Sequence, residues 1–261
     1  MGHSYLNGSS GRWYWFSRLT GNGNFSTGLG SGGAIFTASC TNFGGTLISG
    51  ATHTWQFGGG SYRTASTTPA GKLFAEGATL TNGIMKILYT TPATNNMSIH
   101  GTASVVFDGT ASGLMAFNQS NTYSGTTTLT TGKLVGNSAT PFGTGAITIS
   151  ANSKIEALQN MTVGNLTLNG TINVTVSSTA TAPMITASNV VIDPGAKVVL
   201  KGSYPTITVG KYVTVLKATG SVPSTLPQLL DGAGQPITTI WLEWVGNELR
   251  LKSRGTMILF M

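Results

Sequence analysis

The side chains of this chain that could do acid–base chemistry are few and widely spaced. Its 261 residues include only seven carboxylates: Glu76, Asp108, Glu156, Asp193, Asp231, Glu243 and Glu248. Hydrolysis of a glycosidic bond needs two carboxyl groups about 5–10 Å apart across a cleft, and the spacing of these seven predicts no such pair. Asp193 precedes Pro194 and Asp231 precedes Gly232, neighbours that are typical of tight turns. We therefore expect turn-forming rather than catalytic roles for both.

The sequence also lacks the usual patterns of nucleophiles and metal ligands. His3, His53 and His100 are isolated, and none has metal-ligand spacing from a cysteine or carboxylate. Cys40, the single cysteine, lies in a strand-like run after Ile35-Phe36 and is interpreted as a small buried residue. No serine lies in a Gly-x-Ser-x-Gly turn before a helix. The sequence thus predicts no catalytic residue, metal or cofactor, and a protein that is not an enzyme.

Positive charge exceeds negative charge but is not concentrated. The chain has 14 Lys and Arg against 7 Asp and Glu, a formal net charge of +7, and its basic residues are scattered from Arg12 to Arg254. The only dense group comprises Arg250, Lys252 and Arg254, spaced by two as on one face of a strand. Because nucleic-acid binding requires a concentrated basic stripe, we expect no nucleic-acid partner. A diffuse positive field instead favours anionic surfaces or glycans.

The segments that must position these residues are β-strands. Apolar residues alternate with hydroxyl and amide residues in short segments, the pattern of half-buried strands. Such segments cover residues 146–150, 161–163, 166–168, 171–176, 190–192, 197–200 and 212–216. Turn-forming Gly, Asn, Asp and Pro separate them. Helical turns are expected only at residues 140–142 and 226–230, so the sequence predicts an all-β protein.

Two architectures fit a long series of short strands. In a β-sandwich, antiparallel hairpins reverse at turns such as Asn169-Gly170. In a β-solenoid, each coil lays its strands on the coil below, and no coil buries its apolar face alone. A repeated small-apolar-Thr-apolar phrase favours a parallel β-solenoid with coils of ~20–25 residues, and the β-sandwich is the alternative.

The most specific pattern in the chain lies between residues 121 and 149. It comprises Asn121-Thr122-Tyr123-Ser124-Gly125-Thr126-Thr127-Thr128-Leu129, then Gly132-Lys133-Leu134 and Phe142-Gly143-Thr144-Gly145-Ala146-Ile147-Thr148-Ile149. It resembles the autotransporter-associated β-strand repeat of bacterial passenger domains. The resemblance implies a right-handed parallel β-solenoid at a cell surface, with an adhesive or structural function.

The sequence divides into three parts on this basis. Residues 1–120 are interpreted as degenerate coils with an N-terminal cap, residues 121–220 as repeat-like coils, and residues 221–261 as a C-terminal cap with a terminal strand. The first residues lack the basic and apolar regions of a secretory signal, which favours a fragment or another export route. The apolar runs are too short for a transmembrane helix. We expect an extracellular or cell-surface location.

Aromatic and apolar residues concentrate near both ends of the sequence. The open ends of a solenoid expose apolar core and unpaired strand edges, which need a cover. The residues predicted to provide it, as caps or as subunit contacts, are Trp13, Tyr14, Trp15, Phe16, Trp241, Trp244, Met257, Ile258, Leu259 and Phe260. The uncharged tail 255–261 is expected to pair with a strand edge of its own or a neighbouring chain.

These features favour an extracellular structural or adhesive β-solenoid that associates with itself into a homo-oligomer, fibre or layer, with surface glycans as further partners. The alternative is a carbohydrate-binding or polysaccharide-degrading β-helix, which would have carboxylates converging on one groove beside Trp or Tyr. A trimeric fibre or spike of the phage-tail type is a third interpretation.

Overall fold

The fold of the described residues is entirely β. The computed structural model describes residues 92–95, 99–176, 182, 184–201 and 212–253, and before them only the strands named below and their pairing. Within these residues there is no helix, and hence none long and apolar enough to cross a membrane. The helical turns expected from the sequence are wrong, since residues 140–142 form bends and turns and Gln228–Leu230 is a strand.

The strands are short and follow one another closely. In chain order they are β1 (Ser4–Leu6), β2 (Arg12–Phe16), β3 (Asn24–Thr27), β4 (Gly32–Phe36), β5 (Thr46–Ile48), β6 (His53–Phe57), β7 (Ala78–Thr81), β8 (Ile84–Tyr89), β9 (Ala93–Asn95), β10 (Ile99–Gly101), β11 (Ser104–Gly109), β12 (Leu114–Phe117), β13 (Thr127–Gly136), β14 (Ile147–Ile149), β15 (Ser153–Ala157), β16 (Met161–Thr162), β17 (Leu166–Leu168), β18 (Thr171–Thr175), β19 (Ile185–Ala187), β20 (Val190–Ile192), β21 (Lys197–Lys201), β22 (Tyr212–Ala218), β23 (Gln228–Leu230), β24 (Ile240–Val245) and β25 (Glu248–Ser253). The strand segments predicted between residues 146 and 216 are confirmed to within a few residues.

The strands form one large sheet and two smaller ones. The large sheet has 15 strands and contains two parallel ladders that share β13. The first ladder is β2-β4-β6-β8-β11-β13-β14-β17-β20, and the second ladder is β9-β12-β13-β15-β18-β21-β23. The N-terminal small sheet is β1-β3-β5-β7-β10, and the C-terminal small sheet is β16-β19-β22-β25-β24.

The two small sheets are linked by irregular backbone between them. Residues 122 and 124 donate to the carbonyls of Ile99 and Gly101 in β10, both at 2.9 Å. Thr144 N then donates to Tyr123 O at 2.9 Å, and Thr162 N in β16 donates to Ala139 O at 2.7 Å. The segments near residues 121–124 and 139–144 therefore continue the hydrogen bonding from one small sheet to the other.

Pairing within the ladders is parallel and in register. Thr127 pairs with Ile147, Ile147 with Leu166 and Leu166 with Val190, so partners lie about 20 residues apart in the sequence. The strands on either side of Asn169-Gly170, β17 and β18, pair with different neighbours and not with each other. The hairpin interpretation of that turn is therefore wrong. Among the described strands, antiparallel pairing of neighbours occurs only where β25 meets β22 and β24.

The core consists of aliphatic side chains stacked from strand to strand. In the first ladder, Leu129, Ile149, Leu168 and Ile192 are register partners, and all four are buried. The residues one position earlier, Thr128, Thr148 and Thr167, face outwards and are half-buried. Burial of each large aliphatic side chain contributes about 1.5–3 kcal/mol. The alternation that predicts strands is thus also what separates core from surface.

A buried hydrogen-bond network explains the polar residues of the repeat-like pattern. Asn121 Oδ1 accepts from Ile99 N at 2.7 Å, and Asn121 Nδ2 donates to Pro141 O. Thr127 Oγ1 donates to Phe142 O at 2.9 Å, so the Tyr123 hydroxyl, 2.6 Å away, donates to Thr127 Oγ1. Burial raises the pKa of Tyr123 above its ordinary value. Asn121 and Thr127 thus satisfy backbone groups of the segments at Ile99 and at residues 141–142, and Tyr123 supports Thr127. The role of these side chains is structural.

Glycines allow the backbone to turn and to pack closely. Gly132 has φ 98° at the point where β13 passes from the first ladder to the second, a conformation that other residues rarely adopt. Gly125, Gly145 and Gly164 form a stack in which a Cβ on Gly145 would lie 2.1 Å from Gly125 O. A Cβ on Gly164 would lie 2.3 Å from Gly145 O. The stack therefore requires glycine at each of these positions.

Replacement of Gly145 by alanine tests this close packing. Because the nearest atoms belong to the backbone and not to a flexible side chain, we expect Gly145→Ala to destabilise the fold by at least about 2 kcal/mol. The control is Gly232→Ala, since a Cβ at Gly232 would have its nearest neighbour, Leu200 O, at 3.6 Å. We expect the control to stay within about 0.5 kcal/mol of the parent in urea denaturation. Equal stability of the two variants would contradict the packing argument.

Candidate functional site

Lysines lie side by side on the outward face of the second ladder. Lys133 of β13 is the register partner of Lys154 in β15, Lys154 pairs with Thr171 in β18, and Thr171 pairs with Lys197 in β21. A fourth lysine, Lys201, ends β21. Four ammonium groups from three strands thus share one face of the sheet, although they are up to 68 residues apart in the sequence.

A short local pattern places each of the first three lysines on that face. The pattern is a small residue, a lysine and an aliphatic residue, as in Gly132-Lys133-Leu134, Ser153-Lys154-Ile155 and Ala196-Lys197-Val198. The small and aliphatic residues are buried, because alternate side chains of a strand point to opposite faces. The lysine between them must therefore point outwards.

Two turns border this lysine face and convert it into a groove, which we call the lysine groove. It has a volume of about 470 Å³. Its floor comprises Lys133, Lys154, Thr171, Asn173, Lys197, Val199 and Lys201, and its walls are residues 111–114 and 230–234. Asp231 Oδ1 accepts from Ala233 N at 2.9 Å and from Gln235 N at 2.7 Å, which fixes the second wall. The turn role predicted for Asp231 is confirmed.

A buried carboxylate neutralises part of the charge on the floor. Glu156 forms ion pairs with Lys133 and, at 3.2 Å, with Lys201. Burial alone would raise the pKa of Glu156, but the two ammonium groups outweigh it and hold this pKa below its ordinary value. Burial lowers the pKa of Lys133, and Glu156 opposes this shift. Glu156 is therefore ionised in the folded protein at neutral pH.

The other two lysines are not neutralised in this way. Lys154 and Lys197 are exposed, and neither forms an ion pair with another residue that the structure describes. Both border Thr171, so their strands are about 10 Å apart. Like charges at this distance repel each other, which makes this part of the groove attractive to an anion.

Two neutral polar side chains of β18 lie on the floor: Thr171 between Lys154 and Lys197, and Asn173 between Glu156 and Val199. Thr171 is 7% exposed and Asn173 is 5% exposed, and both line the lysine groove. Neither side chain forms a hydrogen bond with the rest of the described chain. Their hydroxyl and amide groups therefore have donors and acceptors left for a molecule in the groove. The arrangement is suited to binding a ligand that has both anionic and hydroxyl groups.

The aromatic residues predicted as caps lie elsewhere. Trp241 and Trp244 belong to β24, at one end of the C-terminal small sheet. Trp241 Nε1 donates to Glu243 Oε2 at 3.1 Å, whereas Trp244 packs against the core. Trp13, Tyr14, Trp15 and Phe16 form β2, at one end of the strand order of the large sheet, and their side chains lie outside the described part. Met257, Ile258, Leu259 and Phe260 lie outside the described residues, and the capping role stays a prediction.

The remaining described carboxylates have structural partners. Asp193 Oδ1 accepts from Gly195 N at 2.8 Å, which confirms the predicted turn. Asp108 accepts from Thr130 Oγ1 at 2.7 Å. Glu243 pairs with Lys252, and Glu248 pairs with Arg250 at 2.8 Å. Within the described ranges, no three His, Cys, Asp or Glu residues come together as a metal site.

On the predicted basic strand, the charges of Arg250 and Lys252 are compensated by these ion pairs, whereas Arg254 lies outside the described residues. Arg250 also lies over the ring of Tyr212, 3.8 Å from its centroid. Sequence reasoning singled out Arg250, Lys252 and Arg254 because they are close in the chain. It missed Lys133, Lys154 and Lys197, whose repeated small-Lys-aliphatic pattern becomes informative only when the register of the strands is known.

The His100 ring forms a hydrogen bond with the Thr122 side chain, with Nδ1 2.5 Å from Oγ1. The side chain of His53 and all of His3 lie outside the described part of the chain, as does Cys40. The interpretation of Cys40 as a buried residue accordingly stays a prediction.

Replacement of Glu156 by glutamine tests the ion pairs in the groove floor. The folded-state pKa of Glu156 is depressed, so its stabilising effect is present above the unfolded-state value of about 4.3 and is lost as pH falls through the folded-state value. We expect Glu156→Gln to cost about 1–2 kcal/mol at pH 7 and much less at pH 3, measured by urea denaturation. Lys154→Gln, the control, should change stability little at either pH. A loss that is the same at pH 7 and pH 3 would contradict the assignment.

Comparison with known proteins adds no family assignment. No protein-family model matches the chain, and no curated protein matches it significantly. The resemblance of residues 121–149 to the autotransporter-associated repeat stays a prediction from the sequence. Function is therefore inferred from the side chains and the strand register described above.

Proposed function

We propose that this chain is a right-handed parallel β-solenoid with a structural or adhesive function at an extracellular surface. The observation that supports it most is the order in which the chain visits the sheets. From β14 to β22 the chain passes three times, in the same order, through the first ladder, the second ladder and the C-terminal small sheet. We call each such passage a circuit. A chain that repeats this circuit with parallel pairing advances by one strand spacing per circuit, which is the geometry of a coil.

The handedness follows from general stereochemistry together with the resemblance. Connections between parallel strands of one sheet are right-handed in about 98% of cases. The passenger domains that residues 121–149 resemble are right-handed as well. The strands β2, β4 and β6 continue the pattern in backbone pairing, since they add to the first ladder with partners about 20 residues apart.

Outward side chains support a non-enzymatic role for such a coil. Asn189 Nδ2 donates to Asn165 Oδ1 at 2.9 Å, and Ser221 Oγ donates to Asn189 Oδ1 at 2.8 Å. These hydrogen bonds connect outward-facing side chains of successive circuits. The outward threonines of the first ladder, Thr128, Thr148 and Thr167, lie above one another in the same way. Only 8% of all residues are charged. A surface of hydroxyl and amide groups with few charges suits a static extracellular scaffold.

Carbohydrate binding is the second candidate. No Trp or Tyr lines the lysine groove, so its support comes from the polar and charged side chains there and not from the aromatic groove expected from the sequence. The hydroxyl and amide groups of Thr171 and Asn173 beside two unneutralised lysines can bind a polar, anionic molecule. Polysaccharide degradation has less support, because the carboxylates at the groove, Glu156 and Asp231, are engaged in ion pairs and a turn. Adhesion through a bound glycan unites the two candidates.

Spin-label distances test the coil. Val106, Thr128, Thr148, Thr167 and Val191 are successive register partners on the outward face of the first ladder. Four strand spacings separate the first from the last, so labels at Val106 and Val191 should lie roughly 20 Å apart. The measurement is pulsed electron paramagnetic resonance on a Cys40→Ser background with cysteines at these two positions. Distances beyond about twice this value would contradict the stacked arrangement.

Electron microscopy and sedimentation test the structural function. We expect the purified chain to form oligomers or filaments, because solenoid ends can add to one another and extend the sheets. A chain without residues 255–261 should form smaller species, since this apolar tail is proposed to pair with a strand edge. A parent chain that is monomeric at all concentrations would contradict self-assembly, and an unchanged size distribution after the deletion would contradict the role of the tail.

A further inference from the structure

The lysine groove has an uncompensated charge that the rest of the fold does not explain. Parallel strands are about 4.8 Å apart, and like charges directly opposite each other on neighbouring strands are destabilising. Lys133 and Lys154 are register neighbours of this kind. Glu156 relieves the repulsion at Lys133 and Lys201 but is not paired with Lys154 or Lys197. An anion seated between Lys154 and Lys197 would complete the neutralisation.

The neutral groups of the groove narrow the chemistry of that anion. Asn173 and Thr171 are more than nine-tenths buried, form no hydrogen bond within the described chain, and line the groove. They therefore present an amide and a hydroxyl to its occupant. Val199 and Leu230 add apolar surface beside them. A ligand with hydroxyls, an apolar ring face and an anionic substituent would contact all three kinds of group.

The size and lining of the groove separate a sugar from a nucleic acid. A volume of about 470 Å³ is within the range of small-molecule sites and accommodates a short saccharide. None of the residues that line the groove is aromatic. The groove therefore offers no aromatic surface on which the bases of a single-stranded nucleic acid could stack, and a sugar would be held by its hydroxyl and anionic groups instead.

We propose that the lysine groove binds an acidic saccharide, a sugar chain whose rings carry carboxylate or sulfate groups. Lys154 and Lys197 contact the anionic substituents, and Asn173 and Thr171 contact ring hydroxyls. The neighbouring Lys133 and Lys201 remain paired with Glu156 and border the part of the floor that binds the ligand. This inference rests on the adhesive function proposed above and gives it a ligand class.

Titration calorimetry on the full chain with three polymers tests the ligand class. The probes are oligogalacturonate, which carries carboxylates, dextran sulfate, which carries sulfates, and unmodified dextran, which carries neither. We expect binding to one or both acidic polymers and at least tenfold weaker binding to dextran. The stronger of the two acidic probes identifies the anionic group. Equal binding to all three polymers, or binding to none, would overturn the proposal.

Variants locate the binding in the groove. We expect the double variant Lys154→Ala/Lys197→Ala to bind the acidic polymer at least tenfold more weakly. The control Lys217→Ala/Lys252→Ala removes the same two charges from β22 and β25, outside the groove, and should stay within about twofold. Asn173→Ala leaves the net charge unchanged and should weaken binding about threefold, which non-specific attraction to a basic protein would not do. Glu156→Gln removes the competing anion and should strengthen binding about threefold.

Other outcomes would separate this proposal from the proposed fold and function. If Lys154→Ala/Lys197→Ala and Lys217→Ala/Lys252→Ala lose affinity equally, binding is a property of the net charge and the groove assignment is wrong. If oligothymidylate binds more tightly than either acidic polymer, the ligand is a nucleic acid and the saccharide assignment is wrong. In both cases the spin-label distances and the assembly of the chain would be unaffected, so the scaffold proposal would stand on its own tests.

Discussion

Parallel, in-register pairing is the constraint on which the rest of this structure depends. Each residue of a ladder lies about 4.8 Å from its counterpart on the next strand, so the same kind of environment recurs along the column. This arrangement stabilises aliphatic residues such as Leu129 and Ile149, because each shields the other from water. Glycines are needed where backbones approach, as in the stack that includes Gly145. Lysines in such a column repel one another, and only an acidic neighbour or a bound anion relieves this repulsion.

The most specific sequence pattern of the chain has a structural explanation. Three of its residues, Asn121, Tyr123 and Thr127, are buried. Asn121 and Thr127 bind backbone groups of the segments before and after them, and the Tyr123 hydroxyl donates to Thr127. Buried polar groups need such partners, and leaving one unpaired costs about 1–3 kcal/mol. A pattern of polar residues in a β-rich chain can therefore indicate how turns are connected and need not indicate a binding site. The candidate site lies on a different face, where the pattern is much weaker.

Local sequence signals identified the strands well and the site poorly, for one physical reason. Alternation at Ile147–Ile149 or Leu166–Leu168 is a property of adjacent residues, and the turn roles of Asp193 and Asp231 depend on neighbours two to four positions away. The lysine groove depends on residues that meet only through strand register. The same applies to residues 226–230, where a helical turn is expected from the sequence but Gln228–Leu230 pairs with β21 as a strand. Pairing between distant segments decides both cases.

The reversal of chain direction at β25 has a consequence for how proteins of this type can vary in length. In the C-terminal small sheet, β16, β19 and β22 run parallel, whereas β25 and β24 are antiparallel to their neighbours. A gene duplication that inserts another circuit upstream of Tyr212 would find the same strand direction on both sides. Beyond β24 the neighbours of an added strand would be the two strands of a hairpin, in which the pairing is antiparallel. Evolutionary elongation of this sheet by repetition of its parallel strands is thus most direct at internal positions.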